Sequence, residues 1–141
     1  MLDTRTFQSI IEDLIPMNRF LGLKLEAFDM ETGFVTTRLD MRPEYLGNAQ
    51  RAMPHGGLLS FLIDATAGAS AALSLDDHSL IDRVATIDMR VDYLKPAQDE
   101  VLLTSSEVMR PGKRIINVRS EINDEVGTLV ALGSSTFNVA R

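Results

Sequence analysis

Met53-Pro54-His55-Gly56-Gly57-Leu58-Leu59-Ser60-Phe61-Leu62-Ile63-Asp64-Ala65-Thr66-Ala67-Gly68 is the stretch on which the fold turns. From Leu58 to Leu75 nearly every residue is apolar or small, which predicts a helix covered on all sides and not along one stripe. Asp64 stands in its middle as the only ionisable side chain. Carboxylates are almost never fully buried without a partner, because desolvating the charge is costly. Asp64 is therefore either tied into a structural network or kept for chemistry. The His55-Gly56-Gly57 sequence ahead of the helix favours chemistry, since glycine lets a ligand approach backbone N–H groups closely.

On the N-terminal side, the polar loop Arg42–Pro54 carries two prolines, a glycine and an asparagine. Before it, Val35, Thr37, Leu39 and Met41 share one face of a strand, and Leu21, Leu23, Leu25 and Ala27 share one face of an earlier strand. Asp3 or Thr4 caps a first helix over residues 4–16, with Phe7, Ile10, Ile11 and Leu14 at helical spacing and Pro16 as its stop. On the C-terminal side, Asp76-Asp77 breaks the long helix and His78 reads as an exposed loop residue. Four alternating segments follow, Val84–Leu94, Glu100–Met109, Arg114–Asn123 and Thr128–Val139. Tight connections through Arg110–Lys113 and Asn123–Gly127, with no helix-length crossover, predict an antiparallel meander. The fold class is α+β: one domain over residues 1–141, with a long central helix wrapped by a curved antiparallel sheet of about six strands.

Composition narrows the functional classes. A chain of 141 residues with 45% hydrophobic and 24% charged content suits a single globular core. The net charge of −6 argues against nonspecific nucleic-acid binding. No cysteine is present, which removes disulfides, thiolate metal sites and thiol nucleophiles together. His55, His78 and the acids show no metal-ligand spacing, and the scattered methionines read as packing. With no signal-peptide pattern, and Asp64 and several hydroxyls interrupting the apolar helix, the expectation is a cytoplasmic protein without a membrane span.

This layout, with His55-Gly56-Gly57 and an acid nine residues after the histidine, resembles the hotdog-fold acyl-CoA thioesterases, and most closely their PaaI-like, phenylacetate-degradation branch. Thr86–Pro96, Arg110–Arg114 and Leu129–Val139 carry the likeness through the later strands. The resemblance implies hydrolysis of an acyl-CoA to a free acid and CoA, with no cofactor beyond the CoA of the substrate. It also implies a homodimer or homotetramer with active sites at the subunit interface. Helix geometry agrees with the latter, because nine residues separate His55 from Asp64 by about 13 Å along the axis at ~1.5 Å per residue.

By the same resemblance, the Gly57 N–H polarises the thioester carbonyl, and Asp64 of the facing subunit acts as general base on water or as nucleophile through a mixed anhydride. His55 organises the turn. Thr86 positions water or carboxylate, and strict alternation puts it on the strand face opposite Ile87 and Met89. Relatives commonly carry an asparagine six residues before the histidine. That position here is Ala49, flanked by Asn48 and Gln50, and a one-residue loop difference would let Asn48 take the role. For CoA, the resemblance points to Tyr93, Lys95 and Pro96, and to Gly112, Lys113 and Arg114, with the cations as phosphate partners or as solvated strand ends. Two other readings are a noncatalytic acyl-CoA-binding hotdog domain and a hotdog hydratase. The second of these normally needs a close Asp and His pair.

Overall fold

A six-stranded sheet and one long helix form the body of the molecule, and the computed structural model describes residues 2–140. In chain order the regular elements are α1 (Thr4–Ser9), a π-turn (Ile10–Leu14), α2 (Pro16–Leu21), β1 (Lys24–Phe28), β2 (Val35–Asp40), β3 (Leu46–Asn48), β4 (Met53–Pro54), α3 (Gly56–Leu73), β5 (Val84–Tyr93), β6 (Val101–Arg110), β7 (Ile115–Asp124) and β8 (Leu129–Val139). β3 and β4 form a small hairpin of their own, while the main sheet runs β1-β2-β6-β7-β8-β5, antiparallel throughout.

The sheet curves over α3, and its inward residues meet the helix in one apolar core. Leu39, Leu102, Ile122 and Val130 pack on Leu58, Leu59, Leu62 and Ile63, and Ile116, Val118 and Phe137 continue the core toward Ala67 and Ala71. Gly133, at the middle of β8, lets the helix come this close: a Cβ there would sit 2.5 Å from the Ile63 side chain. Hydroxyls tie helix to sheet where small residues leave room, Thr66 to Thr37 at 2.7 Å and Ser70 to the Gly33 carbonyl.

Five expectations need correction. The first helix is not continuous over 4–16. It passes through a π-turn, and Pro16 opens α2 at its first position, where a missing N–H costs nothing. The last four strands are not one meander: β6, β7 and β8 are, but β5 lies beyond β8 at the far edge, because Leu94–Glu100 carries the chain across to pair β6 with β2. The helix is not covered all round. Gly57, Ser60, Phe61, Asp64, Ala65 and Gly68 form a stripe at helical spacing that the sheet leaves partly or fully open. His78 is half-buried and bonds the Leu73 carbonyl at 3.1 Å, closing the C-terminal end of α3. Two of the methionines, Met17 and Met109, are exposed instead of packed. α3 is long and apolar enough to pass a length test for a membrane span, yet most of it lies buried under the sheet, as a core helix does.

Candidate active site

Asp64 lies on the open stripe of α3, half-buried, and accepts a hydrogen bond of 2.6 Å from the Thr86 hydroxyl on β5. That contact corrects the face assigned to Thr86. The pairing of β5 with β8 slips between Thr86 and Asp88, and Ile87 is the extra residue. The bulge turns Ile87 outward and leaves Thr86 on the same, helix-facing side as Met89 and Val91. Strict alternation fails there for this reason. Asp64 and Thr86 together edge an apolar cavity of about 290 Å³ between α3 and the N-terminal segment.

The start of α3 is a separate locus. His55 is its N-cap, with extended backbone, and its Nδ1 accepts the Gly57 N–H at 2.8 Å. The donor assigned to the substrate carbonyl is thus already occupied by an imidazole nitrogen, which a carbonyl oxygen must displace or share. Tyr93, at the end of β5, reaches the same corner: its hydroxyl donates to the Gly56 carbonyl at 3.1 Å and pairs with the Ser60 hydroxyl at 2.6 Å. Neither bond is visible from spacing, since Ser60 and Tyr93 are 33 residues apart. Gly56, Tyr93, Lys95 and Pro96 line a groove of about 310 Å³ here. Seven residues separate Gly57 from Asp64, about 10 Å along the helix.

The other assigned residues lie apart from both. Asn48 is exposed and accepts the Arg51 N–H at 3.2 Å, closing the β3–β4 turn. Gly112 sits in the β6–β7 turn, where a Cβ would overlap the Ile115 carbonyl, so its glycine has a backbone reason. Lys113 and Arg114 are exposed in that turn. Register places this turn at the Val84 end of β5 and Tyr93–Ala97 at the other end, most of a ten-residue strand away, or about 30 Å. One protomer does not bring the two CoA-assigned stretches together. Sequence reading missed the N-terminal wall of the cavity altogether. The one clue to it was Asn18, a polar residue that turns out fully buried, its amide donating to the Ile11 carbonyl at 3.0 Å.

Known proteins align with this arrangement. Residues 54–131, which include α3, β5, β6 and β7, match the Thioesterase superfamily. The chain is 30% identical over 135 residues to the medium/long-chain acyl-CoA thioesterase YigI of Escherichia coli strain K12, covering 89% of this chain and 86% of that one. A Shewanella oneidensis protein related to the thioesterase superfamily superposes with a TM-score of 0.84 at 30% identity, covering 96% of this chain and 94% of that one. A phenylacetic acid degradation-related protein from Ralstonia eutropha JMP134 shares the fold, with a TM-score of 0.80 at 23% identity over 94% of this chain and 98% of that one. With its curved six-stranded sheet around a central helix, the chain belongs to the hotdog-fold thioesterase superfamily.

Proposed function

We propose that the chain hydrolyses acyl-CoA thioesters, with Asp64 supplying the base or nucleophile and the Gly57 N–H of a second copy polarising the carbonyl. The observation that carries this reading is the Asp64 carboxylate, aligned by the Thr86 hydroxyl at the edge of an apolar cavity. The superfamily match and the acyl-CoA thioesterase relative support the substrate class.

Two routes fit a carboxylate so placed. As base, Asp64 takes a proton from water while the oxygen bonds to the carbonyl carbon; the C–S bond then breaks and the proton passes to the departing CoA sulfur. As nucleophile, a carboxylate oxygen displaces the thiolate to form a mixed anhydride that water then cleaves. Both build negative charge on the carbonyl oxygen. The first turn of α3 presents N–H donors and the positive end of the helix dipole to that charge. In the resting turn, His55 Nδ1 holds the Gly57 donor in orientation, and the substrate oxygen takes its place.

A two-fold partner reconciles the separated parts. Antiparallel joining along β5 sets the Thr86 end of one strand beside the Tyr93 end of the other. Asp64 then faces the partner's helix start, and the Lys113–Arg114 turn meets the partner's Tyr93–Ala97 groove. The same reading puts the chain in the PaaI-like branch and in the cytoplasm.

The test is release of free CoA from a panel of acyl-CoAs spanning short, medium and aryl acids. Turnover that Asp64→Asn abolishes supports the proposal. Tight binding without turnover would instead make this a noncatalytic acyl-CoA module, and hydration of an enoyl-CoA would make it a hydratase.

A further inference from the structure

The first peptide of α3 carries the donor assigned to the substrate carbonyl, and side chains hold that peptide at both ends. Its N–H belongs to Gly57 and meets His55 Nδ1 at 2.8 Å, while its carbonyl belongs to Gly56 and meets the Tyr93 hydroxyl at 3.1 Å. A third contact of 2.6 Å joins the Tyr93 hydroxyl to the Ser60 hydroxyl. The hydrolytic reading uses only the N–H end.

Chemistry fixes the direction of every bond in this chain. A carbonyl oxygen only accepts, so Tyr93 donates its one hydroxyl proton to Gly56. The Tyr93 oxygen is then the acceptor of the Ser60 proton. A backbone N–H only donates, so the Gly57 proton points at His55. The Ser60 hydroxyl, the Tyr93 hydroxyl and the Gly56–Gly57 amide are thus aligned head to tail. Their chain ends at the position proposed for the substrate oxygen.

Two elements deliver these groups. Ser60 and Gly57 are three residues apart on the open stripe of α3, and so are neighbours on one helix face. Tyr93 is the last residue of β5. One edge of its ring packs on the helix start: a Cβ at Gly56 would stand 3.5 to 3.7 Å from Cε1, Cζ and the hydroxyl oxygen of Tyr93.

We propose that Ser60 and Tyr93 form a positioning relay that orients and polarises the Gly56–Gly57 peptide, making the Gly57 N–H a stronger donor to the developing oxyanion. The proposal rests on the thioester-hydrolase reading for the identity of that oxyanion. No proton leaves the relay. A hydrogen bond at the carbonyl draws electron density from the amide nitrogen through the peptide resonance, so the N–H becomes more positive. Such cooperative strengthening is ~10–30% per bond, and an oxyanion donor is worth ~10²–10³ in turnover; that share of two to three decades is a factor of about two to eight. The charge exists only in the transition state, so the relay acts on kcat, whereas a mere contact with CoA acts on KM.

The experiment measures kcat and KM for Tyr93→Phe, Ser60→Ala and the double variant on the acyl-CoA that the wild type turns over fastest. It adds the NMR shifts of the Gly57 amide proton and the Gly56 carbonyl carbon, without substrate, in wild type and Tyr93→Phe. This variant keeps the ring and deletes only the hydroxyl. It lowers kcat about two- to eightfold with KM unchanged, and both resonances move upfield. Ser60→Ala lowers kcat by less, and in the Tyr93→Phe background it has no further effect, since it acts through Tyr93. An unchanged kcat in Tyr93→Phe, whatever KM does, overturns the relay and leaves Tyr93 a CoA contact at most. Losses that multiply in the double variant overturn it too, as does an unmoved Gly57 resonance. If no acyl-CoA is turned over by the wild type, the hydrolase reading falls. The relay is then decided by the two resonances alone: upfield movement keeps Tyr93 as the polariser of that amide, and its absence overturns the relay as well.

Discussion

Asp64 and Thr86 form the smallest unit with chemical meaning, a carboxylate with one oxygen held by a hydroxyl at the edge of the cavity. Asp64→Asn keeps shape and volume but removes basicity and nucleophilicity, so turnover falls at least ~10²-fold. Thr86→Val removes only the bond that orients the carboxylate. Losing a hydrogen bond to a charged group, worth about 1.5–3 kcal/mol at most, predicts a fall in kcat of roughly tenfold or more with little change in KM. Steady-state kinetics on both variants checks the pair, and equal activity of Asp64→Asn and wild type would remove Asp64 from the mechanism. His55→Ala tests the cap separately. It deletes the acceptor of the Gly57 N–H and costs about 1 kcal/mol of stability, read as a lower urea midpoint. Asp64, Gly57 and His55 stand out in the sequence because an isolated acid in an apolar helix and a Gly-Gly helix start are local anomalies, and the fold sets Asp64 on the open stripe of α3 and His55 at its N-cap. The side on which Thr86 points was not legible. A bulge is one extra residue opposite the partner strand, and nothing in Thr86-Ile87-Asp88 marks it before the register with β8 is known.

Elements were readable in proportion to how local their causes are. α3 and the six strands of the main sheet fall within a few residues of where apolar periodicity puts them, because burial against one shared core sets both period and limits. The π-turn and the order of the strands depend on distant contacts, so periodicity could not supply them. The loop that moves the chain from β5 to β6 is anchored by one side chain. Asp124, buried at the end of β7, accepts the Gln98 N–H at 2.7 Å and the Thr128 N–H at 2.8 Å. Burial alone would raise its carboxyl pKa, but amide donation from Gln98 and Thr128 outweighs burial and holds it below the ordinary carboxylate value. A depressed folded-state pKa stabilises the fold above the unfolded value of about 3.9, and that contribution is lost as pH falls through the folded value. Asp124→Asn turns one acceptor into a donor facing an N–H, so it should cost about 1–3 kcal/mol near neutral pH. The gap between variant and wild type should close in acid. Urea midpoints measured at about pH 7 and about pH 3 read both; a gap that persists undiminished in acid would contradict the assigned charge.

At the scale of the molecule, the sheet ends unequally. β1 is a five-residue strand broken by a bulge, whereas β5 is ten residues long, exposed over much of its length, and bonded on one side only among the described residues. A long open edge is a template for another strand, and in the proposed dimer a second copy would supply the matching one. Exposed Ile87, Tyr93 and Leu94 on and after this strand, with the open stripe of α3 behind it, add apolar area that a partner would cover. The proposed two-fold join would make each active site from Asp64 of one protomer and Gly57 of the other, and this composite predicts a complementation result. Gly57→Pro removes the assigned N–H in the first turn of the helix, and with it the His55 cap, whose ring must turn aside because a Cβ at this position would lie 2.9 Å from its Nδ1. Alone, it should be as inactive as Asp64→Asn. When the two inactive variants are unfolded together and refolded, half of the dimers are mixed, and one of the two sites in each mixed dimer carries neither change. Activity should then return to about a quarter of wild type if subunits pair at random through a closed two-fold interface. Separately refolded variants combined without subunit exchange should remain inactive. A site complete within one chain would give no recovery under either protocol, since every protomer then carries a defect in its own site.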